Sequence, residues 1–221
     1  MRAFLLSLLA LFAFAPSVQA QALPGLTEGK EYRLIAEGRP YRPAAGKIEV
    51  AEVFAYWCPH CAHFEPTLQA WKRKLPASAR FVAVPMLSGP DDAFGRAFFA
   101  AEASGTLATL HPLLFRAIHD SHELPRNANE AQVSAFVAKV PGINQAAYKT
   151  ALADAATLRS KMAQARQFAL RSDIPGTPSL VVDGRYLVLG DSYESLLANA
   201  GKVVAALAPK PAPKPAAKPR S

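Results

Sequence analysis

The chain has 221 residues, of which 51% are hydrophobic and 19% charged, with a formal net charge of +8. That length supports one sizeable core, or one core with an insertion. Five of the positive charges are Arg2, Lys210, Lys214, Lys218 and Arg220. Taking these five from +8 leaves +3 on the body, which excludes a nucleic-acid surface.

The first element is an apolar run from Ala3 to Ala15 behind a basic Arg2. It is about a dozen residues long, too short to span a bilayer and the right length for a signal-peptide core. Val18-Gln19-Ala20 is a small-residue cleavage pattern, so residues 1–20 read as a signal peptide, with a second candidate cut after Ala22. The chain is therefore expected in an exported compartment where disulfides persist.

Glu31–Ile35 reads as a short edge strand, and Lys47–Tyr56 (KIEVAEVFAY), rich in Val and aromatics, as a longer one. The sequence Cys58-Pro59-His60-Cys61 follows at once. Phe64, Leu68, Trp71 and Leu75 then recur at helical spacing, with Pro66 expected to kink the helix and Leu75-Pro76 to end it. Arg80–Met86 reads as the next strand. From Asp91 to Thr157 alanine is abundant and strand signals vanish, which predicts a run of short helices, followed by a longer one over Leu158–Leu170. Ser179–Val182, Asp183-Gly184 and Arg185–Leu189 predict a strand, a type I′ turn and a strand. Asp191 with Glu194 predicts a capping box for a last helix over Ser192–Leu207. The tail, APKPAPKPAAKPRS, has no large apolar residue and is expected to be an extended, solvated arm. This order fits an α/β fold: a mixed sheet with a helical block inserted in its middle. The divisions are 21–88 and 158–208 for the two halves of the sheet domain, 89–157 for the insertion and 209–221 for the tail.

Cys58 and Cys61 are the only cysteines. Cys58 falls where a strand ends and a helix begins, and Pro59 suits the first helical position because its missing N–H would be unpaired there. The sulfur of Cys58 would then face free backbone N–H groups and the positive end of the helix dipole, which stabilise thiolate over thiol. His60 adds a donor or a positive charge. Cys61, three residues on, is the resolving thiol. A stabilised thiolate makes the reduced pair stable and the disulfide a strong oxidant. A static disulfide across so small a loop would add little stability. A zinc site with His60 or His63 lacks a second cysteine pair. His119 and His122 could clip a metal, but they read as a polar helix end running into Pro125, so no metal is expected. His111 reads as surface or core packing. Glu52 shares strand parity with Val50 and Phe54; it is either buried with a raised pKa or at an exposed spot.

Cys58-Pro59-His60-Cys61, with Phe54-Ala55-Tyr56-Trp57 before it and His63-Phe64-Glu65-Pro66 after it, resembles the DsbA family of bacterial periplasmic disulfide oxidases. The resemblance runs from about Lys30 to Leu207. It implies a thioredoxin-like fold with a helical insertion, and a redox-active Cys58–Cys61 disulfide. It also implies a cis-proline at Thr177-Pro178, where the backbone of Thr177 would pair with an extended substrate. Glu52 would be a buried acid beneath the disulfide and a candidate proton relay for Cys61. The lysine that partners this acid in the family should fall near Ala83, which cannot pair with it. The implied activity is disulfide donation to reduced, newly exported proteins, with reoxidation by a quinone-linked membrane protein of the DsbB type and no soluble cofactor. The alternatives are a reductase or isomerase, or a peptide-binding holdase. The stretch before Lys47 is too short for a dimerisation domain, so a monomer is expected.

Overall fold

The computed structural model describes residues 22–209. The expected signal peptide and nearly all of the Pro/Lys-rich tail lie outside the described residues. Five strands form one sheet: β1 (Tyr32–Leu34), β2 (Ile48–Phe54), β3 (Ala79–Pro85), β4 (Ser179–Val182) and β5 (Tyr186–Val188). Their order is β1-β5-β4-β2-β3. β2 and β3 are parallel, joined by helix α1 (Pro59–Lys72), and every other pair is antiparallel. Between β3 and β4 come α2 (Ala93–Ala103), α3 (Leu107–His119), α4 (Glu130–Val137), α5 (Gln145–Ala153) and α6 (Ala155–Arg171). Helix α7 (Tyr193–Leu207) closes the described chain.

β2 is the centre of the sheet, and all seven of its residues are buried. A strand covered on both faces is expected to be apolar throughout, and β2 departs from that at Glu49 and Glu52. Glu49 has its partners: it accepts from Tyr41 N (2.6 Å), Arg42 N (2.9 Å) and Arg80 Nη2 (2.8 Å), which ties the loop before β2 to the sheet. Strand parity divides the apolar residues as far as Val53, while Phe54 at the strand's end packs with the helical block although it shares parity with Val50. Val50, Leu180 and Val182 pack with Phe64 and Leu68 of α1 and Leu197 and Val203 of α7. Ala51, Val53 and Val181 pack on the other side with Phe98, Leu114 and Phe168 of the helical block. Each such large apolar side chain contributes about 1.5–3 kcal/mol when fully buried.

The hairpin expectation holds. Asp183 and Gly184 both have positive φ (51° and 65°), as a type I′ turn requires. Two expectations are corrected. The N-cap of α7 is Ser192, and its capping box is closed by Ser195 rather than by Asp191 and Glu194. The reason is register: the helix starts at Tyr193, so the third residue after the cap is Ser195. α1 ends at Lys72, before Leu75, and holds Pro66 within it. Leu75 packs against the α1–α7 core from the turn that follows.

Candidate active site

Cys58 is the N-cap of α1, in extended conformation (φ −85°, ψ 117°), with Pro59 in the first turn. The cap residue leaves β2's path and its carbonyl accepts from Ala62 N at 3.3 Å, the first bond of the helix. The Cys58 side chain makes no capping hydrogen bond. Its sulfur donates instead to Thr177 O, at 3.2 Å. The Thr177–Pro178 bond is cis, and the hydrogen bond from Cys58 sets the loop before β4 against the start of α1. Both cysteines are free thiols, with Cys58 5% and Cys61 1% exposed. Burial pushes the Cys61 thiol up, a backbone hydrogen bond at Ala55 opposes that, and the charges of Glu52 and Cys58 push it further up. The His60 side chain is exposed, and its carbonyl accepts from Tyr193 Oη at 3.0 Å. Trp57 is 36% exposed and lines a pocket of about 580 Å³ with Pro90, Phe94 and Arg126.

Glu52 is the buried alternative of the two, at 2% exposure. Its cross-strand partner is Ala83, at the position where the resemblance places a lysine. Burial raises the Glu52 carboxyl to about 8, the charge of Glu65 adds to the rise, and Lys72 partly offsets it. Lys72 comes from the far end of α1, where its ammonium sits 4.1 Å from the centre of the Phe81 ring.

Glu65 and His111 are site neighbours that sequence reasoning missed. Glu65 is buried and faces His111 Nε2 at 3.7 Å, and Gln69 Nε2 donates to it at 2.5 Å. His111 Nδ1 and Tyr56 Oη are 2.7 Å apart. His111 is thus inside the core, edge-on to Phe54 at 4.9 Å, and carries a polar link besides its packing. The spacing could have shown part of this: Cys61, Glu65, Leu68 and Lys72 follow one another at four, three and four residues, one face of α1. The contribution of α3 had no such signal. His119 and His122 are engaged by backbone carbonyls, Tyr56 O at 2.7 Å and Ile118 O at 3.2 Å.

A strand, a Cys-X-X-Cys helix start, and a cis-proline loop against the first cysteine, on a mixed sheet, define a thiol–disulfide oxidoreductase of thioredoxin-like fold. The comparisons agree. A family model described as Thioredoxin matches residues 43–198. The thiol:disulfide interchange protein DsbA of Pseudomonas syringae pv. tomato is 33% identical over 187 residues, covering 84% of this chain and 85% of that protein. The protein of the same name from Pseudomonas aeruginosa PAO1 is 34% identical, over 84% and 86%. The crystal structure of the oxidoreductase DsbA from Xylella fastidiosa superposes with a TM-score of 0.75 at 36% identity, over 81% of this chain and 96% of that one. The chain belongs to the DsbA family of the thioredoxin-like proteins, and it is a thiol:disulfide oxidoreductase.

Proposed function

We propose that this oxidoreductase works as a disulfide donor to newly exported proteins. The observation that carries the reading is the seat of Cys58, at the first cap of a 14-residue helix with Pro59 behind it. A negative charge on that sulfur meets the positive end of the α1 dipole, which stabilises the reduced pair and makes its disulfide easy to give away. A substrate thiolate attacks Cys58 Sγ and the Cys58–Cys61 bond breaks. The electron pair goes to Cys61 Sγ, which takes a proton, with Glu52 as the relay. A second substrate thiolate then attacks the substrate sulfur of the mixed disulfide, and Cys58 leaves as thiolate. Substrate loses two electrons and gains a disulfide; the enzyme holds the dithiol.

Pro59 sets the start of α1, and the exposed His60 supplies a donor beside the sulfur. The backbone at Thr177 and Pro178 pairs with an extended substrate segment, in the manner of strand addition. A DsbB-like quinone-linked membrane protein takes the two electrons back out. The compartment is the periplasm, reached through the cleavable segment 1–20. Residues 21–88 and 158–208 form the thioredoxin-like domain, and 89–157 the inserted helical domain.

The test is the redox equilibrium of Cys58–Cys61 in glutathione buffers. A donor stays reduced until the buffer is strongly oxidising. A pair already oxidised in a reducing buffer makes the protein a reductase. Cys61→Ser, mixed with oxidised glutathione, is expected to accumulate a persistent mixed disulfide at Cys58, and Cys58→Ser to form far less. If the variant lacking both cysteines suppressed aggregation as well as the native protein and the native protein oxidised no substrate, the holdase reading would take its place.

A further inference from the structure

β3 is an edge strand: among the described residues it pairs with β2 and with no strand on its other side. Met86 N donates to Phe54 O (2.6 Å) and Ile48 N to Ser78 O (2.8 Å), so the even-numbered residues from 78 to 86 turn their backbone toward β2. Alternate residues of a strand turn the opposite way, so Phe81 and Ala83 point N–H and C=O out of the sheet. Pro85, the next such position, has no N–H to leave unpaired, which is where an edge strand tolerates proline. No described group bonds to the outer backbone of Phe81 or Ala83, and both residues are half-buried.

This edge is the floor of a groove of about 1040 Å³, walled by α1 on one side and by α2 and α3 on the other. Along α1 the groove runs from Ala62 and His63, next to Cys61 in the chain, to Arg73. The two walls differ. Phe98, Leu107 and Phe115 make one of them apolar. Lys72 and Arg73 stand on the other, with the Lys72 ammonium 4.1 Å from the centre of the Phe81 ring. Of the acids in the groove, Glu65 is taken by His111 and Gln69, and Glu102 by Arg42 and Lys161. That leaves Lys72, Arg73 and Arg116 without a direct ion pair among the described residues, against Asp120.

We propose that this groove is a second docking site for reduced substrate: an extended, acidic segment of the polypeptide adds to β3 as a sixth strand while its cysteine reacts at Cys58. This rests on the reading of the protein as a disulfide donor. Phe81 and Ala83 each offer the segment one backbone donor and one acceptor. Successive side chains of an added strand go to opposite walls, so acidic residues alternating with apolar ones fit. The acids meet Lys72 and Arg73, and the apolar side chains meet Phe98 and Phe115. The chain's own tail does not fit. Pro209, Pro211, Pro213 and Pro215 remove every donor of one parity, and the groove's cations repel Lys210 and Lys214. A second copy does not fit either, because the walls admit one strand and not a sheet edge with its helices.

The first probe is a fluorescein-labelled, cysteine-free peptide of alternating valine and glutamate, read by anisotropy with the oxidised full-length protein. Ala83→Pro removes an outward N–H and no bond of the β2–β3 ladder, and is expected to weaken binding roughly tenfold, through one lost hydrogen bond and its stranded partner. Arg73→Glu combined with Arg116→Glu is expected to weaken it as much, with added salt narrowing the gap. Unchanged affinity in both variants overturns the proposal. Two further peptides carry N-methyl groups on the valine amides or on the glutamate amides. Only one parity of amides faces the edge, so one peptide is expected to lose binding and the other to keep it. Like behaviour of the two overturns strand addition, and this arm decides if Ala83→Pro fails to fold. The second probe joins the same segment through a Gly-Ser linker to a reduced cysteine pair, and its oxidation is followed through Trp57 fluorescence. It is expected to half-saturate at about a tenfold lower concentration than its lysine-for-glutamate counterpart, with the same limiting rate. Binding of the first probe without oxidation of the second leaves the groove a peptide site and sinks the donor reading. Oxidation indifferent to the segment, with no binding of the first probe, does the reverse. A mass of two chains in solution that Ala83→Pro reduces to one gives the edge to a second copy and overturns the proposal.

Discussion

Glu52 is the residue at which burial and charge compete most openly. An acid buried in β2 with its carboxyl raised to about 8 is disfavoured in its ionised form by the fold. Its ordinary value is 4.5. The sign follows: with the folded value above the unfolded one, the protein is most stable below pH 4.5 as far as this group is concerned, and that stability is lost as pH rises toward 8. Urea midpoints of the reduced protein should therefore fall between pH 5 and pH 8 (roughly the span of the two values) by more than in Glu52→Gln, which has no such titration. Equal slopes in the two proteins would mean that Glu52 is solvated in the fold. Glu65 has the opposite sign, so its contribution is lost on acidification and lies outside this window.

Among the elements, the β4–β5 hairpin was the most legible and is the most constrained. Asp-Gly between two apolar runs reports its own turn type because only residues tolerant of positive φ can occupy both central positions. The structure adds a second constraint. A Cβ on Gly184 would run into the backbone of Arg39 and Pro40, which press against the turn from the loop before β2. Gly184→Ala combines a strained φ with that collision and is expected to cost about 2 kcal/mol or more by chemical denaturation. A loss near zero would show that the loop before β2 can move away. The start of α7 taught the reverse lesson: Asp191, Ser192, Glu194 and Ser195 all carry capping chemistry, and the sequence holds nothing that picks one register.

At the scale of the molecule the question is whether the helical insertion is a separate unit. Residues of β2, such as Phe54, lie in one continuous core with Phe98 and Phe115 of the insertion. A charged clasp crosses the same boundary: Glu102 of α2 accepts from Arg42 Nη1 (2.5 Å) and Nη2 (2.8 Å), and from Lys161 of α6 at 2.8 Å. Burial raises the Glu102 carboxyl, and the two cations outweigh it and hold it below its usual range, so the clasp weakens as pH falls through that range. We expect one unfolding transition, with far-UV circular dichroism, dominated by helices of the insertion, coinciding with the fluorescence of Trp57 and Trp71 in the other half. Glu102→Gln should lower stability at pH 7 by about 1–3 kcal/mol. Two separated transitions would make the insertion an independent folding unit.

What the sequence determined by itself was local. A strand running into Cys-Pro-His-Cys sets a thiol at a helix start, because proline at the first position and the lack of earlier donors are properties of adjacent residues. The edge strand, the hairpin and the run of short helices were legible for the same reason: period, turn chemistry and composition act over a few residues. Glu52 could be placed on a strand face, but not inside or outside, because that depends on what covers the face, and α1 does. His111 sits 50 residues beyond Cys61, with no spacing to connect them. Only the packing of α3 against α1 brings its ring to Glu65 and Tyr56.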